Sequence, residues 1–170
     1  MQLDTLLTAE RTLCRAPAVN KQEVLKSCAR FFCESINADK SINAGENANA
    51  HDSKVADLDA DLLLQSLLAR ERLGSTGLGN GIAIPHCRLK NLDRVVGALI
   101  TLAEPIDFEA VDGKPVDIIF LLLAPAQALQ EHLNALAALA DLFNRAEFRQ
   151  GLRAATDSAQ LYRTAIEFQK

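Results

Sequence analysis

GSTGLGNGIAIPHCRL, residues 74–89, joins a glycine-rich turn to an apolar run that stops at Pro85 and leads directly into His86. Gly77, Gly79 and Gly81 fall at every second position, so the backbone can take positive φ there and leave its N–H groups uncovered, which suits an anion. Gly81-Ile-Ala-Ile-Pro85 reads as a strand. Pro85 fixes its own φ and offers no N–H to a ladder, so the chain is expected to leave the sheet and present His86 at a strand end. The spacing G-x-G-x-G is neither the G-x-G-x-x-G of a dinucleotide site nor the G-K-[ST] of a P-loop. After the glycines come a strand and a histidine, where both motifs require a helix.

Upstream, Asp57 or Asp59 can cap a helix in which Leu62, Leu63, Leu64, Leu67 and Leu68 supply an apolar face. It is expected to end near Leu73-Gly74, where glycine favours a left-handed cap. Arg70 and Arg72 then lie in its final turn, beside the glycine loop, where a cation complements the helix dipole. Arg72 reads as an ordinary surface cation. Residues 37–56, NADKSINAGENANAHDSKVA, have almost nothing to bury and are expected to form a mobile insert; His51 inside it reads as a solvated loop histidine. Before it, Asn20-x-x-Glu23 has the form of a capping box, and Val24, Leu25, Cys28, Phe31 and Phe32 predict an amphipathic helix over Lys21–Ser35. Residues 1–19 carry a weak helical turn near Leu3–Leu7 and a short strand near Thr12–Arg15, closed by Pro17.

Downstream, Arg94–Leu102 and Val116–Ala124 are β-rich, and the second is apolar on both faces, as in a central strand covered by helices. Pro105–Phe108 predicts a short strand, Asp112-Gly113 a turn. Pro125 introduces a helix over Ala128–Phe143 with Leu129, Leu133, Leu136, Ala140 and Phe143 on its buried face. His132 stands beside that stripe in the first turn, where the helix N-terminus attracts anions and keeps an imidazole neutral. Two further helices are expected, over Ala146–Ala154 and from Asp157, where Gln160 is a capping partner and Leu161, Ala165 and Phe168 form the apolar edge. The elements add up to one α/β domain over residues 1–170, with its core at about 13–168 and a mixed β-sheet flanked by helices on both faces.

A chain of 170 residues, 49% hydrophobic and 24% charged, is long enough for one sizeable core. It has no apolar run long enough to insert in a membrane, and MQLDTLLTAERTLCR lacks the basic start and apolar stretch of a signal peptide, so a cytoplasmic protein is expected. The net charge of −4 comes without a basic tract, which argues against nucleic acid as a partner. Cys14, Cys28, Cys33 and Cys87 show no C-x-x-C spacing and are expected to stay reduced. No recognised ligand spacing links His86 and Cys87 to His51 or His132, so no metal is expected. A hydrolase lacks support too, since there is no G-x-S-x-G elbow and no evident base for Cys87.

Arg70-Glu-Arg-Leu-Gly-Ser-Thr-Gly-Leu-Gly-Asn-Gly-Ile-Ala-Ile-Pro-His86 resembles the active-site segment of the fructose/mannitol-type enzyme IIA domains of the bacterial phosphotransferase system, and GSTG-x-GNGIAIPH is most similar to their stand-alone, nitrogen-related branch, IIA-Ntr. The resemblance continues more loosely from about Leu13 to Phe168. It implies that His86 carries a phosphoryl group, that the arginine opening R-E-x-x-G-S-T-G, Arg70, binds phosphate, and that His132, in its H-L-x-x-L-x-x-L-A segment, lies beside the site as a donor. Thr76, Gly77 and Gly79 would complete a phosphate-binding loop. If a backbone carbonyl holds Nδ1–H of His86, the nucleophile is Nε2. No metal, nucleotide or other cofactor is needed. The implied donor is an HPr-like phosphocarrier, and the implied output is regulation of target proteins, such as kinases or transporters, by phosphorylation state. Two alternatives stand beside it: a sugar-specific IIA that passes phosphate to a IIB transporter domain, and a regulatory module that binds an anion without covalent chemistry.

Overall fold

All of Val116–Pro125 except Asp117 is buried, as a strand with helices over both faces must be. In this computed structural model, which describes residues 2–42 and 58–168, that strand is β6, the centre of a six-stranded mixed sheet. Antiparallel to it along one side runs β5 (Val96–Ile106), from Val96 opposite Leu123 to Thr101 opposite Ile118. Beyond β5 lies β1 (Thr12–Ala16), parallel to it. On its other side β6 takes two short strands in succession, β3 (Ile82–Ala83) and β4 (His86–Leu89), both parallel to it. β2 (Gly77–Gly79) pairs antiparallel with β3.

The alternation along β6 sorts the core into two layers. Ile119, Leu121 and Leu123 face a cluster containing Val24, Leu25, Cys28 and Phe32 of α1 (Lys21–Ile42) and Leu63 and Leu67 of α2 (Ala60–Glu71). Ile118, Phe120 and Leu122 face a second cluster built from α3 (Leu129–Asn144), α4 (Ala146–Ala154), α5 (Ser158–Glu167) and the N-terminal Leu3, Leu6 and Leu7. Helices therefore cover both faces, and the expected α/β architecture holds.

Local signals account for many of the boundaries. The Asn20 carboxamide oxygen accepts from the N–H of Glu23 at 2.9 Å, and the Asp59 carboxylate from those of Asp61 and Leu62 at 2.8 and 3.1 Å. The Asp157 carboxylate accepts from the N–H of Gln160 at 2.8 Å. Four expectations need correction. α1 runs past Ser35 to Ile42, so the segment expected to be mobile begins inside a helix; its remainder after residue 42, with His51, lies outside the described residues. Pro105 does not open a strand of its own but sits near the end of β5, where the register against β6 breaks between Thr101 and Ile106, a place that tolerates a missing N–H. The chain does not leave the sheet at Pro85. Its carbonyl accepts from the N–H of Leu122 at 3.0 Å, which keeps the backbone on β6, and His86 opens β4 opposite Leu122. Lastly, α3 buries His132, Ala135, Leu139, Leu142 and Phe143, while Leu129 and Leu133 are half-exposed and Ala140 faces water.

Candidate functional site

β4 pairs with β6 alone, so it forms the sheet edge where both helical layers reach round. Its burial alternates, with Cys87 turned into the α1–α2 core and His86 and Arg88 turned outward. His86 is half-buried. Its Nδ1 lies 2.8 Å from the carbonyl oxygen of Ile84, an acceptor that can only receive a proton, so Nδ1 carries the hydrogen and Nε2 the free lone pair. That lone pair accepts from Nε–H of Arg70 at 3.0 Å. Arg70 comes from the last turn of α2, on one side of the sheet, and its Nη1 donates to the Gly74 carbonyl at 3.0 Å. His132 comes from α3 on the other side, its ring edge-on to that of His86 with centroids 5.3 Å apart.

The electrostatics favour neutral imidazoles. Burial, chiefly, and the Arg70 guanidinium push the His86 pKa below its ordinary value against the pull of the Ile84 bond and the Glu71 carboxylate. His132, 6% exposed, is driven down to about 4 by burial first, then by His86, Arg88 and Arg70. Helix polarity was the expected cause; desolvation and neighbouring cations are the main ones. The His132 Nε2 is buried without a hydrogen-bond partner among the described residues. A buried, unsatisfied ring nitrogen costs on the order of 1–3 kcal/mol, and a site that supplies a ligand oxygen removes that cost.

The glycine loop divides. Gly77 needs no positive φ; a Cβ there would lie 2.8 Å from both Cα and Cβ of Ala110, and its N–H goes to Ser75 Oγ at 3.1 Å. Gly79 and Gly81 take φ of +96° and +82° in the β2–β3 turn. That turn is level with Ile118, whereas His86 is level with Leu122, about 13 Å further along β6 at ~3.3 Å per residue. Gly79 is thus a hairpin residue, and its neighbour Asn80 gives its N–H to Asp112 at 2.9 Å. Thr76 is 3% exposed, with its hydroxyl and N–H donated to Glu71 at 2.6 and 2.8 Å. Sequence reasoning missed Glu71, since nothing in the pattern marks a carboxylate after Arg70 as buried. Burial lifts the Cys87 thiol to about 12, which leaves it inert beside the histidine. Among the described residues no group of His, Cys, Asp and Glu is placed to hold a metal ion, and no helix is long and apolar enough to cross a membrane.

Residues 5–167 match the family model described as phosphoenolpyruvate-dependent sugar phosphotransferase system, EIIA 2. The chain belongs to this family. Proteins named nitrogen regulatory protein resemble this chain over nearly its whole length. One from Pseudomonas aeruginosa is 37% identical over 169 residues, covering 99% of this chain and 97% of that one. Another from Escherichia coli is 40% identical over 163 residues, covering 95% and 88%. Among solved structures, the nitrogen regulatory protein IIA-Ntr of Neisseria meningitidis superposes with a TM-score of 0.78 at 29% identity, over 96% of this chain and 98% of that one. The mannitol IIA of Escherichia coli, at 18% identity and a TM-score of 0.63, shares the EIIA fold.

Proposed function

We propose that this EIIA protein is the phosphoryl-transfer intermediate of a nitrogen-related phosphotransferase system, taking the group on Nε2 of His86 from an HPr-like carrier and regulating partner proteins by its phosphorylation state. The observation that carries the reading is the tautomer: the Ile84 carbonyl claims Nδ1–H, which leaves the Nε2 lone pair directed at Arg70. In the transfer the bond from phosphorus to the donor imidazole breaks as the bond to Nε2 forms, and the donor nitrogen keeps its electron pair. The Nδ1 proton stays on His86, where the Ile84 oxygen stabilises the charge the ring acquires. Arg70 gives up Nε2 to the incoming phosphorus and turns its N–H groups to the phosphoryl oxygens, still held through Gly74. His132, neutral at pH 7, offers a ring N–H to the same oxygens. A loose phosphoryl transition state asks the protein for positioning and charge stabilisation, which these groups supply without a metal. The swing of about two charges on one side chain is large enough to alter an interface.

Intact mass and site mapping at mildly alkaline pH, after mixing with a phosphorylated HPr-type donor, test the reading. One acid-labile phosphoryl group on His86, absent from His86→Ala, is the expected result. Onward transfer to a IIB-type cysteine would instead favour the sugar branch, and failure to accept from either a nitrogen-type or a sugar-type donor would leave a non-covalent anion module.

A further inference from the structure

Next to Arg70 in the chain, but turned the opposite way, Glu71 is buried with a side chain 6% exposed. Among the described residues, the bonds it makes lead away from the histidine. Oε1 accepts from the Thr76 N–H at 2.8 Å, Oε2 from the Thr76 hydroxyl at 2.6 Å, and Nζ of Lys21 sits 2.9 Å from Oε1. Lys21, the first residue of α1, also meets Glu109 at 2.6 Å and lies over the Phe108 ring, 5.0 Å from its centroid. Burial works against the Lys21 ammonium, but the Glu109 and Glu71 bonds outweigh it and hold its pKa above the ordinary value. Between Glu71 and Thr76 the chain leaves α2 and turns at Gly74, with φ of +147°. The Gly74 carbonyl is the anchor of the Arg70 guanidinium.

We infer that Glu71 is a positioning residue: by clamping Thr76 and Lys21 it fixes the turn that carries the Gly74 carbonyl, and that carbonyl in turn aims Arg70 at Nε2 of His86. The clamp closes the six-residue turn from Glu71 to Thr76 with two short bonds to one carboxylate, so the Gly74 oxygen has little freedom to wander. Arg70 has a long side chain with several rotatable bonds, and among the described residues this one carbonyl and His86 hold its head. Without the clamp the guanidinium would still be present but no longer preorganised, and misplacement of about 1 Å can cost up to a hundredfold in rate. Among the described residues Glu71 makes no hydrogen bond to His86; apart from the through-space pull of its carboxylate on that ring, its effect passes through Arg70.

This inference rests on the carrier reading of His86, and the test separates the two. Single-turnover transfer from a phosphorylated HPr-type donor is compared for wild type, Glu71→Gln, Arg70→Ala and the double variant. Gln keeps the size of Glu71 but loses the Lys21 ion pair and cannot accept from both Thr76 donors as a carboxylate does. The expected result is that Glu71→Gln slows transfer about tenfold in the presence of Arg70 and less than about twofold in the Arg70→Ala background, as non-additivity through a shared partner requires. Equal slowing in both backgrounds, or none in either, would overturn it. Lys21→Met cuts the same clamp from the far side and serves if Glu71→Gln does not fold; the same pattern is expected with a smaller slowing. An NMR readout of the unphosphorylated protein is independent of the carrier reading: the Nε2 resonance of His86 is expected to lose its hydrogen-bond shift in Glu71→Gln as it does in Arg70→Ala. An Nε2 resonance unchanged from wild type would reject the positioning role even if wild type accepts no phosphoryl group.

Discussion

An imidazole shut away from water takes up a proton only against its desolvation, and at His132 that burial, with His86, Arg88 and Arg70 adding to it, lowers the pKa from 6.5 to about 4. The sign of the consequence is fixed. The unfolded chain protonates this ring near pH 6.5 and the folded one near 4, so between those values the unfolded state binds the extra proton and the folded state loses ground as pH falls. His86, shifted the same way, adds to the slope. Above pH 6.5 the contribution is fully present; below about 4 it is gone. Thermal melts from pH 7.5 to 4 are expected to show His132→Asn flattening the wild-type decline by an amount on the order of 3 kcal/mol at the acid end. A wild-type slope that survives the substitution intact would place the His132 pKa near its ordinary value. At this scale the sequence singles out the two histidines that the fold brings together, because His86 and His132 sit in long, ordered motif segments. It does not show Glu71, because burial of a carboxylate depends on Lys21, 50 residues upstream, and on Thr76 across a turn whose closure no local pattern dictates.

Along an element, periodicity reveals that a helix exists more reliably than which stripe it buries. In α3 leucines recur at 129, 133 and 136 and again at 139 and 142, so two stripes about a quarter-turn apart compete for the sheet. The one that wins carries the small Ala135 with His132, Leu139 and Leu142, and its small residue lets the helix approach β6 closely while the histidine reaches the sheet edge. The loser leaves Leu129 51% and Leu133 50% exposed, flanking His132 on the turn that borders His86. Exposed leucines stabilise nothing in the isolated chain, but on the proposed function, with His86 taking its phosphoryl group from an HPr-like carrier, they offer that carrier an apolar rim. The pair Leu129→Asp and Leu133→Asp is expected to change stability by no more than about 0.5 kcal/mol per site, as is usual for surface positions. At Leu129, in the first turn of α3, an acid is in any case tolerated by the helix dipole. The KM for the phosphorylated donor is expected to rise about tenfold, an interface loss near 1.4 kcal/mol, with the single-turnover rate at saturating donor held within about twofold. A donor KM that stays level would remove these leucines from the docking surface.

For the whole molecule the deciding feature is that two separate apolar layers share a single strand. β6 was legible as the central strand because its run is apolar on both faces, and the caps at Asn20, Asp59 and Asp157 were legible because they are local. The order in which the strands pair was not, since the β1–β5 and β4–β6 contacts join residues far apart in sequence. Adjacent side chains of β6 point into different layers: Leu121 into the one beneath α1 and α2, Leu122 into the one beneath α3, α4 and α5, each wholly buried. If the layers were independent, a cavity in one would loosen its own helices and leave the other melting as before. The shared strand forbids this. Its ladder to β5 runs without interruption from Val96–Leu123 to Thr101–Ile118, so neither face can separate from β6 without undoing hydrogen bonds on which the other is built. Leu121→Ala and Leu122→Ala are each expected to cost about 2–5 kcal/mol. Each is expected to lower the melting temperature seen by far-UV circular dichroism and that seen by the near-UV signal of Tyr162, which packs on the α3–α5 layer, by the same amount. Two separate transitions in Leu121→Ala, with Tyr162 melting later than the bulk of the helices, would show that the α3–α5 layer holds together on its own.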